Sequence, residues 1–246
     1  MNDQALGTDF PVAVVTGAGS GVGRDTAMLL AEAGYAVVLV GRTQAKLDAS
    51  IDLIRGECDD TPTLLALPTD LTDSAAVQML VDTTIEKFGR IDALANIAGS
   101  APLQPIERIE DDTIDACLAS NLKSVIYTTR ACWKTFKAQR SGVIVNVSSM
   151  ASIDPFRGFN VYAAAKAGVN LFTKATADEG ARINLKAFAV APGAIETQML
   201  RDNFSTKAIP EINALDPILV AGLIRDLITG ARDCESGSTL PLPSPH

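Results

Sequence analysis

Residues 12–23 read VAVVTGAGSGVG, a short β-branched run followed at once by a glycine-rich turn. Glycine lets a backbone turn tightly and approach a diphosphate, and the free N–H groups at the start of the next helix attract negative charge. The spacing is T-G-x-x-x-G-x-G, whereas G-x-G-x-x-G and the P-loop pattern G-x-x-x-x-G-K-[ST] do not occur. We interpret the stretch as a strand and a nucleotide-binding turn, the alternative being a tight strand–helix connection. The residues expected to contact the nucleotide are Gly17, Ser20, Gly21, Val22 and Gly23.

Beyond this turn, short apolar segments alternate with longer segments of helical periodicity. The predicted strands are 12–15, 36–40, 64–67, 93–97, 143–147, 186–190 and 238–242, and the predicted helices are 22–33, 43–55, 73–88, 111–139, 159–180 and 217–229. Several strands are continuously apolar, which is typical of a parallel sheet covered on both faces. We therefore predict an α/β fold over residues 1–246: a single-domain, Rossmann-like, doubly wound parallel sheet of about seven strands with helices on both faces.

Two segments depart from this alternation. Residues 194–214 are predicted to be an irregular substrate loop over the carboxyl edge of the sheet, where ligands bind in such folds. Residues 241–246, PLPSPH, are predicted to be an extended tail because they are rich in proline.

Composition excludes several classes of chemistry. The chain has 246 residues, a net charge of −8 and one histidine, His246, so Ser-His-Asp chemistry and most zinc sites are not expected. The negative charge argues against nucleic acid. The four scattered cysteines form no C-x-x-C pair, and neither a signal peptide nor a membrane span is visible. We expect a cytoplasmic enzyme that acts on small molecules and uses no metal.

The end of the second predicted strand bears on the choice of nucleotide. An acidic residue there would accept the adenine-ribose hydroxyls of NAD, but the sequence has Gly41 and Arg42, and Asp48 lies further into the next helix. Gly41 leaves room for a 2′-phosphate and Arg42 can pair with it. This favours NADP(H) over NAD(H), the alternative being that Arg42 is a solvated loop residue.

The pattern Tyr162-Ala-Ala-Ala-Lys166 opens a predicted helix and places a phenol and an ammonium on one helical face. A nearby cation favours the phenolate and lowers the pKa of a tyrosine, which then exchanges protons near neutral pH. Ser149, at the end of the fifth predicted strand, is positioned to hydrogen-bond the same substrate oxygen. Taken alone, each feature is also common on helix surfaces and at strand ends.

Together these motifs resemble the short-chain dehydrogenase/reductase family, in its compact single-domain branch. The likeness extends from Val12 to about Leu242, with the motifs in the family's order: TGAGSGVG at 16–23, Asp70-Leu71, Asn96-Ile97-Ala98-Gly99, Asn121, Ser149, Tyr162-x-x-x-Lys166, and Pro192-Gly193 with Thr197. The resemblance implies an NAD(P)(H)-dependent oxidoreductase that interconverts a secondary alcohol and a ketone by hydride transfer.

The resemblance also implies roles for individual residues. Tyr162 would be the catalytic acid/base, Lys166 would lower its pKa and bind the nicotinamide ribose, Ser149 would orient the substrate oxygen, and Asn121 would hold a proton-relay water. Further cofactor contacts would come from Asp70 and Leu71 at the adenine, from Asn96, Ala98 and Gly99 at the ribose side, and from Pro192, Gly193, Ile195 and Thr197 at the nicotinamide. The pocket would include Phe156 and Phe159, although core packing explains those aromatic residues equally well.

Three positions depart from the family pattern. Ile97 replaces a second asparagine, which is expected to loosen a sheet-bracing hydrogen bond. Phe188 stands where an asparagine is common, and PLPSPH replaces an acidic-glycine-glycine turn that packs near subunit interfaces. We expect a homodimer or homotetramer, but the replaced turn does not indicate how its subunits are arranged.

The same motifs are compatible with alternative functions. A 3-oxoacyl-thioester (acyl-carrier-protein) reductase fits the same motifs, with Lys134, Lys137 and Arg140 as a docking surface for an acidic carrier, unless these cations merely complement a helix C-terminus. A non-catalytic NAD(P)-binding sensor would keep the glycine turn without the catalytic side chains. A methyltransferase would require an acidic residue after the second strand and no Tyr–Lys pair.

Overall fold

The computed structural model describes residues 10–58 and 62–245, and seven strands in these ranges form one parallel sheet. The strands are β1 Val12–Thr16, β2 Ala36–Gly41, β3 Leu64–Pro68, β4 Ala93–Asn96, β5 Gly142–Val147, β6 Leu185–Pro192 and β7 Thr239–Leu242. Their order is β3-β2-β1-β4-β5-β6-β7. Strands β2 and β3 lie on one side of β1, and strands β4 to β7 lie on its other side. In such sheets a crevice opens at the carboxyl ends of the two strands where the order changes side, here β1 and β4. The predicted doubly wound fold is confirmed.

Helices cover both faces of the sheet because the strands are apolar on both sides. They are α1 Gly21–Glu32, α2 Gln44–Glu57, α3 Ser74–Phe88, α4 Asp111–Leu118, α5 Ser124–Gln139, α6 Asn160–Gly180, α7 Gln198–Asn203 and α8 Pro217–Thr229. Alternate β1 residues face opposite layers: Ala13 and Val15 pack with α1, α2 and α8, while Val12 and Val14 pack with α3, α5 and α6. No helix within the described ranges has the length and apolarity needed to cross a membrane.

Polar side chains connect the middle strands to the helices above them. Asn96 on β4 donates to Asn146 on β5 (2.9 Å) and accepts from Thr128 on α5 (2.8 Å), and Asn146 donates to Thr173 on α6 (2.8 Å). All four side chains are buried. This buried hydrogen-bonded chain braces β4 and β5 even though Ile97 occupies the position of the family's second asparagine.

Three predicted boundaries were wrong. The helix predicted over 111–139 is interrupted by a π-helical turn at 119–123, which separates α4 from α5. The segment 194–214 is not wholly irregular, because α7 begins after Thr197, whose hydroxyl accepts from the Leu200 N–H. The predicted tail starts too early, since residues 241–242 pair with β6 as part of β7. The final residue, His246, lies outside the described residues.

Candidate active site

A cleft of about 1340 Å³ opens along the carboxyl ends of the strands. At one end, which we call the glycine-turn end, the wall is formed by residues 17–25, 41–47 and 69–72. At the other, the Tyr162 end, it is formed by Ser149, Asp154, Phe156, Phe159, Tyr162, Lys166, residues 196–200, Asn203, Phe204 and Ile209. Residues 97–101 and 192–195 lie between the two ends. With one exception, treated below, every predicted site residue lies in this wall.

The glycine turn is a backbone cradle that side chains would block. Gly17 has φ +71°, and a Cβ on Gly23 would lie 2.2 Å from the Gly17 carbonyl oxygen. α1 starts immediately afterwards, and the side chain of its N-cap residue, Ser20, makes no capping hydrogen bond. The first N–H groups of α1 are therefore available to an anion. This cradle fits the diphosphate of a dinucleotide.

Two basic residues border the glycine-turn end beside β2. Arg42 and Lys46 both line the cleft, and a Cβ on Gly19 would lie 3.1 Å from the Lys46 Cβ. Arg42 was predicted from the sequence, whereas Lys46 was missed. Its signal was the i, i+4 spacing from Arg42, which places it on the first turn of α2 facing the glycine turn. Positive charge is thus concentrated where an adenine-ribose 2′-substituent would lie.

Asp70 follows β3 on the same wall. Its Oδ1 accepts from the backbone N–H (2.9 Å) and the hydroxyl (2.7 Å) of Thr72. These two hydrogen bonds lower the pKa of Asp70, so it is ionised at neutral pH. The carboxylate is therefore oriented and charged, as an acceptor for an amino group requires.

Thr16 and Gly99 shape the middle of the cleft. The Thr16 hydroxyl accepts from the N–H groups of Ile97 (2.8 Å) and Ala98 (3.1 Å), which fixes the loop after β4 against β1. A Cβ on Gly99 would lie 2.5 Å from the Asn121 Oδ1 and 3.5 Å from the Lys166 Nζ. Glycine at position 99 therefore allows these two polar side chains to approach the same point.

Asn96 is the exception among the predicted cofactor contacts. It is 3% exposed, does not line the cleft, and uses its amide in the chain with Asn146 and Thr128. The prediction that Asn96 lines the ribose side was wrong, because this residue lies within β4 and its side chain points into the helix layer. Its neighbours Ala98 and Gly99 do line the cleft.

Asn121 lies on the π-helical turn between α4 and α5. Its amide nitrogen donates to the carbonyl oxygens of Ser100 (2.8 Å) and Cys117 (2.9 Å). π-Turns inside α-helices are frequent at functional sites because they redirect a side chain or carbonyl. Here the turn brings a buried asparagine to the cleft wall beside Lys166.

Tyr162 and Lys166 lie one turn apart on α6, with the Lys166 Nζ 5.8 Å from the centre of the phenol ring. The Nζ donates to the Val147 carbonyl oxygen at the end of β5 (2.8 Å). Burial lowers the pKa of Lys166 to about 8. The ammonium is therefore fixed by a single strand-end carbonyl and is close to its titration point at mildly alkaline pH.

Burial also raises the pKa of Tyr162, and a hydrogen bond with the Ser149 hydroxyl opposes that shift. The lowering predicted from Lys166 is not found. Desolvation dominates, and the ammonium lies beside the face of the ring and bonds to Val147. Tyr162 is consequently a protonated phenol at neutral pH, and it lies in the cleft wall together with Ser149.

The Tyr162 end is largely apolar. Phe159 packs against Phe156 (ring centres 6.5 Å apart), Tyr162 (5.4 Å) and Phe204 (6.0 Å). Phe156 is 65% exposed at the rim, whereas Phe159 is buried. Among the described residues that line this end, those with charge are Asp154, Glu196 and Lys166. The surface offered to a substrate is thus aromatic, with carboxylates at its margin.

Arg201 holds the segment 194–214 in its folded shape. Its guanidinium forms a bidentate ion pair with Glu196 and donates to the Ile209 carbonyl oxygen (2.8 Å). Asn203 attaches α7 to the opposite side of the cleft by donating to the Ala101 carbonyl oxygen (2.9 Å). The loop predicted to cover the substrate therefore does lie over the cleft, as a side-chain-bonded helical segment.

The known proteins most informative about this geometry belong to one family. The short chain dehydrogenase family model matches residues 11–208, so the chain belongs to that family. An uncharacterized oxidoreductase of Staphylococcus aureus (strain USA300) is 33% identical over 186 residues, covering 76% of this chain and 78% of the relative. The 3-oxoacyl-[acyl-carrier-protein] reductase FabG of Thermotoga maritima is 36% identical over 203 residues, covering 81% and 78%.

Solved structures show the same fold. A variant of actinorhodin polyketide ketoreductase with NADPH has a TM-score of 0.89 at 26% identity, covering 97% of this chain and 98% of that chain. Levodione reductase has a TM-score of 0.87 at 30% identity, covering 94% and 95%. NAD+-bound xylitol dehydrogenase has a TM-score of 0.87 at 25% identity, covering 95% and 98%. The chain is thus an oxidoreductase that acts on CH–OH or carbonyl groups with NAD(P)(H), which sets aside the non-catalytic sensor.

Proposed function

We propose that this enzyme is an NADP(H)-dependent reductase of uncharged ketones, which it interconverts with secondary alcohols. The observation that carries the proposal is the buried phenol of Tyr162, which shares the cleft wall with Ser149 and packs against an aromatic cluster. In this assignment Tyr162, Ser149, Lys166 and Asn121 are the catalytic residues. When bound, the nicotinamide supplies or accepts the hydride.

Tyr162 supplies the proton in the reducing direction. The carbonyl oxygen of the ketone accepts from the hydroxyls of Ser149 and Tyr162, and as the carbon gains hydride the Tyr162 proton passes to that oxygen. Lys166 stabilises the phenolate that this transfer leaves behind, and Asn121 lies beside Lys166 on the way back to solvent. Because burial keeps Tyr162 protonated, reduction is favoured at neutral pH and alcohol oxidation needs alkaline pH.

The preference for NADP(H) is supported by the charge at the glycine-turn end. Arg42 and Lys46 border the cleft where β2 ends in Gly41, with no acidic residue at that strand end. A 2′-phosphate between them would form charge-assisted hydrogen bonds that the ribose hydroxyl of NAD(H) cannot replace. Solved structures of this fold include an NADPH-bound and an NAD+-bound protein, so the fold by itself does not indicate the preference and the proposal rests on Arg42 and Lys46.

Cofactor preference is tested by titrating NADPH and NADH into wild type, Arg42→Ala, Lys46→Ala and the double variant. We expect about a 10-fold loss of NADPH affinity for each single variant, with NADH affinity nearly unchanged. Lys207→Ala, outside the cleft wall, is the matched control. Equal losses for the two cofactors would show that these residues do not bind the 2′-phosphate.

The substrate is proposed to be uncharged and apolar on at least one side of the carbonyl. Phe156, Phe159 and Phe204 provide contact area for such a group, while Asp154 would repel a carboxylate or phosphate. The solved neighbours that act on a polyketide or on levodione are consistent with this class.

A screen of NADPH oxidation by matched ketones tests the substrate class. Aryl and cyclic ketones are compared with the same skeletons carrying a carboxylate, and we expect the uncharged members to have the higher kcat/KM. Phe156→Ala should reduce that kcat/KM for the aryl ketone more than for a small aliphatic ketone. Preference for the carboxylates would contradict the proposed class.

An acyl-carrier-protein substrate is the second candidate, favoured by the 36% identity to the Thermotoga maritima reductase. The docking surface predicted for it is misplaced, however. Lys134, Lys137 and Arg140 end α5 just before β5 begins, and Arg140 bonds to the Arg182 carbonyl oxygen before β6. They lie at the amino edge of the sheet, opposite the cleft. A carrier protein would have to dock elsewhere.

A further inference from the structure

Residues 243–245 form part of the cleft wall, beside the segment that follows β6. The ladder between β6 and β7 continues for one bond beyond the strand, from the Gly193 N–H to the Leu242 carbonyl oxygen (2.9 Å). Pro243, like Pro241 within β7, occupies a position whose nitrogen faces away from β6, so neither proline removes a bond of this ladder. The next backbone N–H, that of Ala194, donates to the Ser244 hydroxyl oxygen instead (2.7 Å).

Ser244 is fixed from both sides. It stands between Pro243 and Pro245, and a residue that precedes proline is restricted to extended conformations. Its approach to the chain is also close: a Cβ on Gly193 would lie 2.3 Å from the Ser244 hydroxyl oxygen and 2.6 Å from its nitrogen. The contact therefore requires glycine at position 193 and a short hydroxyl side chain at 244.

The bond acts on a segment that is held on its other side as well. Leu215 donates to the Ala194 carbonyl oxygen (2.8 Å) and accepts from the Glu196 N–H (2.9 Å). Residues 193–196 are thus stretched between Leu242 and Ser244 on one side and Leu215 on the other. If Ser244 is lost, the Ala194 N–H has no partner from residues 243–245 and the adjoining Ile195 backbone is released on that side.

We infer that Ser244 is a positioning residue that sets the backbone of Ala194 and Ile195 for the carboxamide of the nicotinamide. The inference rests on the proposed function, together with the nicotinamide contact at Ile195 that the family resemblance implies. Ser244 acts through that backbone, and its effect is confined to the nicotinamide end because the adenosine part lies at the glycine-turn end.

The test compares a whole dinucleotide with its adenosine fragment. Affinities for NADPH and for 2′,5′-ADP are measured by calorimetry on wild type, Ser244→Ala and Ser244→Thr. We expect Ser244→Ala to bind NADPH about 10-fold more weakly, with an unchanged affinity for 2′,5′-ADP and a corresponding rise in KM for NADPH. Ser244→Thr keeps the hydroxyl and should recover most of the loss.

Ser238→Ala is the matched control, since its hydroxyl bonds to the Glu235 carbonyl oxygen (2.6 Å) away from the cleft. Equal weakening of both ligands by Ser244→Ala, or an unchanged NADPH affinity, would overturn the inference. If wild type binds 2′,5′-ADP but gains no affinity from the nicotinamide half, the proposed position of Ile195 fails as well. If it binds neither ligand, the proposed function itself is wrong.

Discussion

The glycine-turn end of the cleft is built mainly from backbone, whereas the Tyr162 end is built from side chains. At the first, strand ends and the start of α1 present N–H groups, and Gly23 lies too close to Gly17 for any Cβ. At the second, an aromatic cluster and the bonds of Arg201 shape a segment that has little regular structure. The cofactor site therefore depends on positions where a side chain must be absent, and the substrate site on which side chains are present.

Tyr162 is the proposed proton donor at the Tyr162 end of the cleft, so removal of its hydroxyl is expected to have the largest effect. Tyr162→Phe deletes the proton donor while keeping the ring, and we expect kcat to fall about 10³-fold with little change in NADPH affinity. The measurement is steady-state kinetics with a reactive ketone, beside a binding titration. Tyr127→Phe, on α5 against Arg130, is the control. Undiminished turnover by Tyr162→Phe would rule out its role as the acid.

Gly23→Ala breaks the glycine-turn end alone. The added Cβ would displace the Gly17 carbonyl or the start of α1. Overpacking of this kind costs about 1–3 kcal/mol, which corresponds to about 10- to 100-fold weaker NADPH binding. Gly222→Ala on α8, where a Cβ meets nothing within 4 Å, is the control and should slightly stabilise the protein. Calorimetric titration of NADPH into Gly23→Ala and Gly222→Ala measures the two affinities. A normal NADPH affinity in Gly23→Ala would contradict the tight packing of the glycine turn.

Arg201→Gln breaks the Tyr162 end alone. It removes the ion pair with Glu196 and the bond to Ile209, so the segment over the pocket loosens. We expect the KM for the ketone to rise about 10-fold while NADPH affinity stays the same. Arg225→Gln, whose guanidinium pairs with Asp226 on α8, is the matched control. Parallel losses of ketone and NADPH binding would mean that the two ends are not independent.

The last expected effect concerns Lys166 and pH, and it acts on folding stability without bearing on ligand affinity or turnover. Its pKa is about 8 in the folded protein and about 10.5 when unfolded, so between these values the unfolded chain binds more protons. Raising the pH over this range should therefore stabilise wild type relative to Lys166→Met, by at most about 1.4 kcal/mol per pH unit. Urea unfolding at several pH values measures the difference, with Lys174→Met on the same helix as control. A difference that falls with rising pH would contradict the buried ammonium.

The comparison also explains what could be predicted from the sequence. The sheet and the glycine turn were predictable because strand periodicity and glycine spacing are local signals. Tyr162, Lys166 and Ser149 were selected by their resemblance to the family's motifs, because each pattern alone is also common on helix surfaces and at strand ends. Lys46 was missed because its role depends on the packing of α2 against the glycine turn. Asn96 was misassigned because a one-residue difference along a strand reverses the direction of a side chain. The contact of Ser244 could not be predicted from the sequence because its partner, Ala194, is 50 residues away.

The buried hydrogen bond between Asn96 and Asn146 has a consequence for substitutions at these two positions. If either asparagine is replaced by an apolar residue, the other loses a hydrogen-bond partner in the core, where an unsatisfied polar group costs about 1–3 kcal/mol. If both asparagines are replaced together, no amide without a partner remains between β4 and β5. Thr128 and Thr173 retain partners in that case, since their hydroxyls also bond to carbonyl oxygens of their own helices. The two positions are thus coupled, and we expect the double replacement to destabilise the protein less than the sum of the two single replacements.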